Sequence, residues 1–193
     1  MRPINIFRTM AVAGAVLLAP SMLSAQIAKP LSFAIYGGAS VPMGDASDAF
    51  NTGYTVGGSM DLRAPLMPFG LRGELGYSSM GMKGLSGSGL SAKTTDLGGN
   101  LNLVTWMPSI VIKPYLTAGG SYSHLGVSAT DGTSTGSVSE NHFGFNAGGG
   151  LDFPLGPIAA RVDIRYKQIM MGKDDQGNSA SLKTVPLTFG IRF

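Results

Sequence analysis

The sequence predicts an all-β fold, an eight-stranded antiparallel up-and-down transmembrane β-barrel preceded by a cleavable signal peptide. Three observations carry that expectation. Period-two hydrophobic segments recur eight times, the connections between them alternate between long and short, and the charges inside the segments sit opposite the apolar residues.

The first element is the export signal. Arg2 and Arg8 precede an apolar stretch from Met10 to Ala19, followed by Pro20 and the small-residue run Ser21 to Ala25. That stretch is shorter than the roughly 20 residues needed to cross a bilayer. Cleavage after Ala25 is therefore expected, with residues 1–25 as signal peptide and 26–193 as one barrel domain. No cysteine follows the cleavage point, so a lipoprotein anchor is not expected.

The eight segments are Leu31 to Ser40, Tyr54 to Arg63, Leu71 to Met80, Thr94 to Trp106, Pro114 to Leu125, His142 to Phe153, Ile158 to Met170 and Thr184 to Phe193. Their lengths suit tilted strands that cross a membrane. Residues 41–53, 81–93, 126–141 and 171–183 form long polar connections, whereas 64–70, 107–113 and 154–157 are short and contain proline. Outer-membrane barrels have long external loops and short periplasmic turns, so both termini are expected on the periplasmic side.

The faces separate chemically. In the last segment Val185, Leu187, Phe189, Ile191 and Phe193 alternate with Thr184, Pro186, Thr188, Gly190 and Arg192. In the seventh, Arg161, Asp163, Arg165 and Lys167 oppose Ala160, Val162, Ile164 and Tyr166. Asp61, Arg63, Arg72, Glu74, Asp96 and Asp152 obey the same parity. A lysine or arginine on the lipid face would cost about 2–4 kcal/mol at the bilayer midplane, which accounts for its avoidance. Aromatics cluster near the segment ends: Tyr54, Tyr77, Tyr122, Phe143, Phe145 and Tyr166 on the loop side, and Phe33, Trp106, Tyr115, Phe153 and Phe193 on the turn side. Two interfacial girdles are expected from them, with a bulge possible near Trp106 and Tyr115.

Composition narrows the alternatives. Only 13% of residues are charged and 29 are glycine, yet no apolar run is long enough for a spanning helix. A pI near 9.3 invites a nucleic-acid reading. Without Arg2 and Arg8, however, 12 basic residues face 11 acidic ones, and no basic cluster with interleaved aromatics remains. Zero cysteines exclude disulfides and thiolate metal sites. A soluble lipocalin-like barrel would alternate as strictly, with its apolar face inward. The export signal and the scarcity of charge favour the membrane version.

The C-terminal Leu187-Thr-Phe189-Gly-Ile191-Arg-Phe193 resembles the signal by which outer-membrane barrels are recognised by their assembly machinery. The segment Pro42 to Tyr54 is similar to the first loop of small outer-membrane β-barrel-domain proteins, broadly the OmpA/OmpX-like class. The resemblance covers residues 26–193 and implies outer-membrane lipid and the barrel assembly machinery as partners. A soluble peptidoglycan-binding domain, present in full-length OmpA-type proteins, is absent from this sequence, so wall tethering is not implied.

An eight-stranded barrel is just wide enough for side chains to fill. Asp61, Arg63, Arg72, Glu74, Asp96, Asp152, Arg161, Asp163, Arg165, Lys167 and Arg192 are therefore expected to form a paired lumen network, with a narrow ion path as the alternative. His124 and His142, with Asp131 and Glu140 between them, could form a metal site or a general base at the rim, but their spacing favours ordinary rim residues. Lys173 to Asn178 lacks the ligand pattern of a calcium loop, and neither Gly148-Gly149-Gly150 nor the Gly84–Gly89 run has the setting of a phosphate loop. No catalytic residue, cofactor or metal is expected. The functional expectation is a monomeric, non-enzymatic outer-membrane protein with a structural, adhesion or surface-interaction role, its loop partner unspecified. A narrow channel and a lipid-modifying enzyme are the alternatives, the latter disfavoured because an acyl-binding lumen should be apolar.

Overall fold

A computed structural model describes residues 30–63, 67–84, 91–109, 111–130, 135–173 and 179–193. The segment read as an export signal, Asp131 and most of the Lys173–Asn178 and Gly84–Gly89 segments lie outside the described residues. Eight strands follow one another in a closed barrel: β1 Leu31–Met43, β2 Gly53–Arg63, β3 Phe69–Gly81, β4 Ser91–Trp106, β5 Lys113–Thr130, β6 Thr135–Leu155, β7 Ile158–Lys173 and β8 Ser179–Arg192. Every neighbouring pair is antiparallel, and β1 closes on β8 from Ala34↔Arg192 to Met43↔Lys183. At the seam Phe33 and Phe193 exchange backbone hydrogen bonds of 3.0 and 2.8 Å, and their rings stack. Closure leaves no sheet edge within the belt, the condition for a sheet to sit in hydrocarbon.

The apolar face points outward. Leu75 and Leu101 are 74% and 65% exposed, while Arg72 and Asp152 inside are fully buried. This is the reverse of a soluble barrel and settles the choice that periodicity alone leaves open. Tyr54 tilts against Tyr77, Tyr122 meets Phe143 edge-on, and Phe145 tilts against Tyr166, so the loop-side girdle is a set of cross-strand aromatic pairs.

Three features differ from the sequence-based expectation. First, Trp106 and Tyr115 belong to the inward face and not to the turn-side girdle. They oppose one another in a β4–β5 ladder with continuous register, so no bulge intervenes. Burying Tyr115 inside is possible because Gly150 is its direct partner on β6; a Cβ at Gly150 would lie 2.5 Å from the tyrosine hydroxyl. Tyr36 uses Gly57 in the same way, and again a Cβ there would lie 2.5 Å from its hydroxyl. Second, the strands run further than expected. Pairing between β5 and β6 continues to Thr130↔Thr135 through residues assigned to a loop, because above the belt both faces meet water and the apolar alternation disappears while the ladder persists. The extended strands carry Lys93 and Lys183 at odd positions, outward but at the loop end where the cost is small. Third, the first long connection contains a short helix, α1 (Asp45–Ala49), too brief to show a helical period.

The β6–β7 turn needs Gly156, whose φ of 75° opens the tight reversal before Pro157. Ladder pairing between β7 and β8 skips Arg165 and Tyr166 beside Pro186, which has no N–H to give.

Placing arginine at Leu101, in the middle of the outward belt, is expected to destabilise the barrel by about 2–4 kcal/mol, whereas Met43→Lys at the loop end is expected to cost about 0–1 kcal/mol. Urea unfolding in lipid vesicles measures both, and equal losses would contradict the assigned belt.

Candidate functional site in the barrel lumen

Parity delivers all eleven charged residues named above to the interior, where six strands contribute them. The densest part is a lattice between β2, β3, β6 and β7. Asp61 accepts from the Arg72 guanidinium on both carboxylate oxygens and from Arg161 Nη2 at 2.9 Å. Arg161 also donates through Nε to Asp152 at 2.7 Å, and Arg192 Nε lies 3.2 Å from the other Asp152 oxygen. Arg165 bridges Glu74 and, at 2.6 Å, Asp163, to which Tyr115 donates its hydroxyl at 2.5 Å. Lys167 donates to Asp96 at 2.7 Å. Arg63 is held differently: its guanidinium lies 3.7 Å over the Trp106 ring, and together they occupy the turn end of the lumen. Arg72 and Arg161 in turn lie over the face of Tyr115, at 4.6 and 5.1 Å.

Neutral residues complete the network, and reasoning from charge alone missed them. Asn102 donates to Glu74 at 2.9 Å and accepts from Asn146 at 2.9 Å. The parity of Asp96 and Asp152 could have found both. No such marker existed for Tyr115, because β5 carries no carboxylate to identify its inward face. Between Tyr36, Glu74, Asp96, Asn100, Asn146 and Lys167 a cavity of about 70 Å³ remains, room for a few waters. The Asp96 Oδ1, Asn100 Oδ1, Asn146 Oδ1 and Ser59 Oγ atoms have no protein partner, so water is the natural occupant of this chamber.

The loop end is closed by different chemistry. Met80, Leu125, Ile169 and Leu182 face inward and pack with Ala46 of α1 and with Phe50, forming an apolar cap above the chamber. The two histidines are not brought together: His124 is on the outward face, with Nδ1 2.8 Å from Asn141 Oδ1, and His142 is on the inward face, with Nε2 3.3 Å from Glu140. Among the described residues no cluster of three potential metal ligands occurs.

The closed barrel, its greasy exterior and its ionic filling are the combination that a bilayer demands of spanning strands. The family model of the outer membrane protein β-barrel domain matches residues 11–193. The chain belongs to that family. It is thus an integral outer-membrane barrel with a charged interior. Comparison with curated protein sequences gives no match. Among solved structures, the chain is similar to a major outer membrane protein from Thermus thermophilus (TM-score 0.61, 15% identity, covering 84% of this chain and 98% of that one). It is similar to Neisserial surface protein A (TM-score 0.57, 18% identity, 86% and 98% covered). The outer membrane enzyme PagL has the same fold (TM-score 0.50, 18% identity, 82% and 97% covered). At such identities the likeness is one of fold, and this fold hosts an enzyme as well as surface proteins.

Removing Lys167 alone, as Lys167→Met, strands the buried Asp96 carboxylate and is expected to cost about 3–5 kcal/mol. The double variant Lys167→Met with Asp96→Leu is expected to recover most of that loss. Urea unfolding of all members of the double-mutant cycle measures the coupling, and an additive result would show that the pair does not interact.

Proposed function

We propose that this protein is a non-enzymatic, monomeric surface-interaction barrel. Its four long connections face the exterior and both termini face the periplasm. The observation that supports this reading is the β4–β5–β6 extension. Strand β5 pairs with β4 up to Ser91↔Thr130 and with β6 up to Thr135↔Thr130, whereas β6 pairs with β7 only from Gly144↔Ile169. Among the described residues, 136–142 of β6 have no ladder partner on the β7 side, and this edge above the aromatic girdle carries Gly136, Ser137 and Ser139 beside the exposed Val138. Edges of this kind template pairing with an extended segment of another protein.

In the same reading, residues 1–25 are removed during export, and Leu187, Phe189, Ile191 and Phe193 serve the assembly machinery before the seam closes. The alternatives receive less support. A lumen occupied by ion pairs and sealed by an apolar cap is a poor conduit, and its polarity is wrong for an acyl chain.

Replacing residues 126–139 by an Asn-Gly turn would shorten the hairpin at Leu125↔Glu140 with a favoured two-residue connection and remove most of the unpaired β6 edge. Cells producing this variant are expected to lose at least tenfold in adherence to immobilised extended peptides, while heat-modifiable gel mobility is retained. Unchanged adherence would reject the open edge as the contact, and steady single-channel conductance of the parent barrel in planar bilayers would favour the channel instead.

A further inference from the structure

The inward faces of β3, β5, β7 and β8 change character near the loop end. Ser78, Ser123, Lys167 and Thr184 are polar, and one inward step further along the same strands come Met80, Leu125, Ile169 and Leu182. Apolar side chains aimed into a water-facing mouth are unfavourable unless something covers them. Here something does: the four are between 2 and 5% exposed, beneath α1 and Phe50. Four strands have each placed an apolar residue where only a cover would make it sensible, so the cover is encoded in the barrel itself.

The attachment of that cover is one-sided. Among the described residues, every polar bond from the 44–51 segment to another element reaches the β3 end. Lys83 donates from its backbone to Ala49 O at 2.8 Å and from Nζ to Ser47 O at 2.7 Å, and Asn51 donates to Gly81 O at 2.8 Å. Phe50 forms an isolated bridge with Met82. Over β7 and β8 the segment rests on Ile169 and Leu182, and among the described residues that contact is apolar alone. The segment begins at Gly44, with φ of 60° and ψ of −140°, a conformation that only glycine adopts freely. Beneath lies the polar chamber, and beneath the chamber the ion-pair lattice fills the bore.

We propose that α1 is a hinged lid, anchored at the end of β3 and free over β7 and β8, that gates access of water and small solutes to a blind polar chamber without opening a path through the barrel. Lifting it exposes the chamber to the loop side. The lattice keeps the other end shut.

The chain has no cysteine, so single introduced thiols report access without background. Ser40→Cys lies in the chamber wall, Thr117→Cys is buried near the turn end outside it, and Ser139→Cys is an exposed reference. The probe is a small cationic methanethiosulfonate applied to the barrel folded in nanodiscs, with gel mobility confirming the fold of each variant. Ser40→Cys is expected to react at least a hundredfold more slowly than Ser139→Cys, at a rate that levels off with reagent concentration because opening becomes limiting. Adding Leu182→Ser, which weakens the free side of the lid, is expected to speed the reaction at least tenfold and leave Thr117→Cys unreactive. A Ser40→Cys thiol that never reacts would make α1 a fixed plug, one that matches Ser139→Cys would mean that the mouth is uncovered, and parallel reaction at Thr117→Cys would mean that the whole barrel breathes. Each of these three results overturns the lid. The outcome is independent of whether the β6 edge binds a partner.

Discussion

Ionised groups on a sheet that crosses hydrocarbon have only one stable location, the enclosed side, and that constraint governs this molecule. With eight strands the enclosed space is barely wider than the side chains that fill it, so charges sent inward must meet one another. Arg72 and Asp152 are removed from water completely. Such burial is tolerable because Arg72 reaches Asp61, Asp61 also receives Arg161, and Arg161 passes on to Asp152. The lattice ties β2, β3, β6 and β7 across the bore, contacts that backbone ladders cannot make. Whether such ion pairs add net stability is a separate matter from the penalty of breaking one, and the second is the larger effect.

Filling the bore with guanidinium groups and aromatic rings creates a volume problem that glycine resolves. Tyr115 and Tyr36 lie across from Gly150 and Gly57, where a methyl group would collide with the ring. These glycines are therefore partners of specific large residues, and the glycine content of the strands reflects packing inside the barrel more than chain flexibility. The same logic does not extend outward: Gly73 and Gly120 have open space where a side chain would stand, and packing within the chain does not account for them.

The fold was legible in the sequence wherever lipid enforces a pattern, and illegible where that enforcement stops. Strands β7 and β8 could be read position by position because Arg161, Asp163, Arg165 and Lys167 mark one face and Val185 to Phe193 the other. Within Pro114 to Leu125 strand β5 offered no inward charge to fix its phase, so Tyr115 was expected in the girdle when it faces the lumen. Trp106, by contrast, shares the parity of Asp96, and its inward position could have been read. Above the belt the pattern vanishes altogether, which is why the long β5–β6 extension read as a loop. The apolar cap was hidden for a related reason. Met80, Leu125, Ile169 and Leu182 have the parity of the polar face, and on sequence alone an apolar residue there is indistinguishable from a minor irregularity of alternation.

The division between what lipid enforces and what it leaves free also bears on function. Inside the belt each outward position must be apolar and each inward charge must find a partner, so substitution there is limited by folding, and likeness to other barrels reports mainly the solution of that shared problem. The residues released from it are those of α1, the cap beneath it and the stretch of β6 that has no β7 partner among the described residues. These are the parts in which this chain is at liberty to differ from another barrel of equal strand number, and they lie together at one end of the molecule. Specific activity must therefore be sought at the loop end, with the ion-pair lattice serving as the rigid floor on which that end is built.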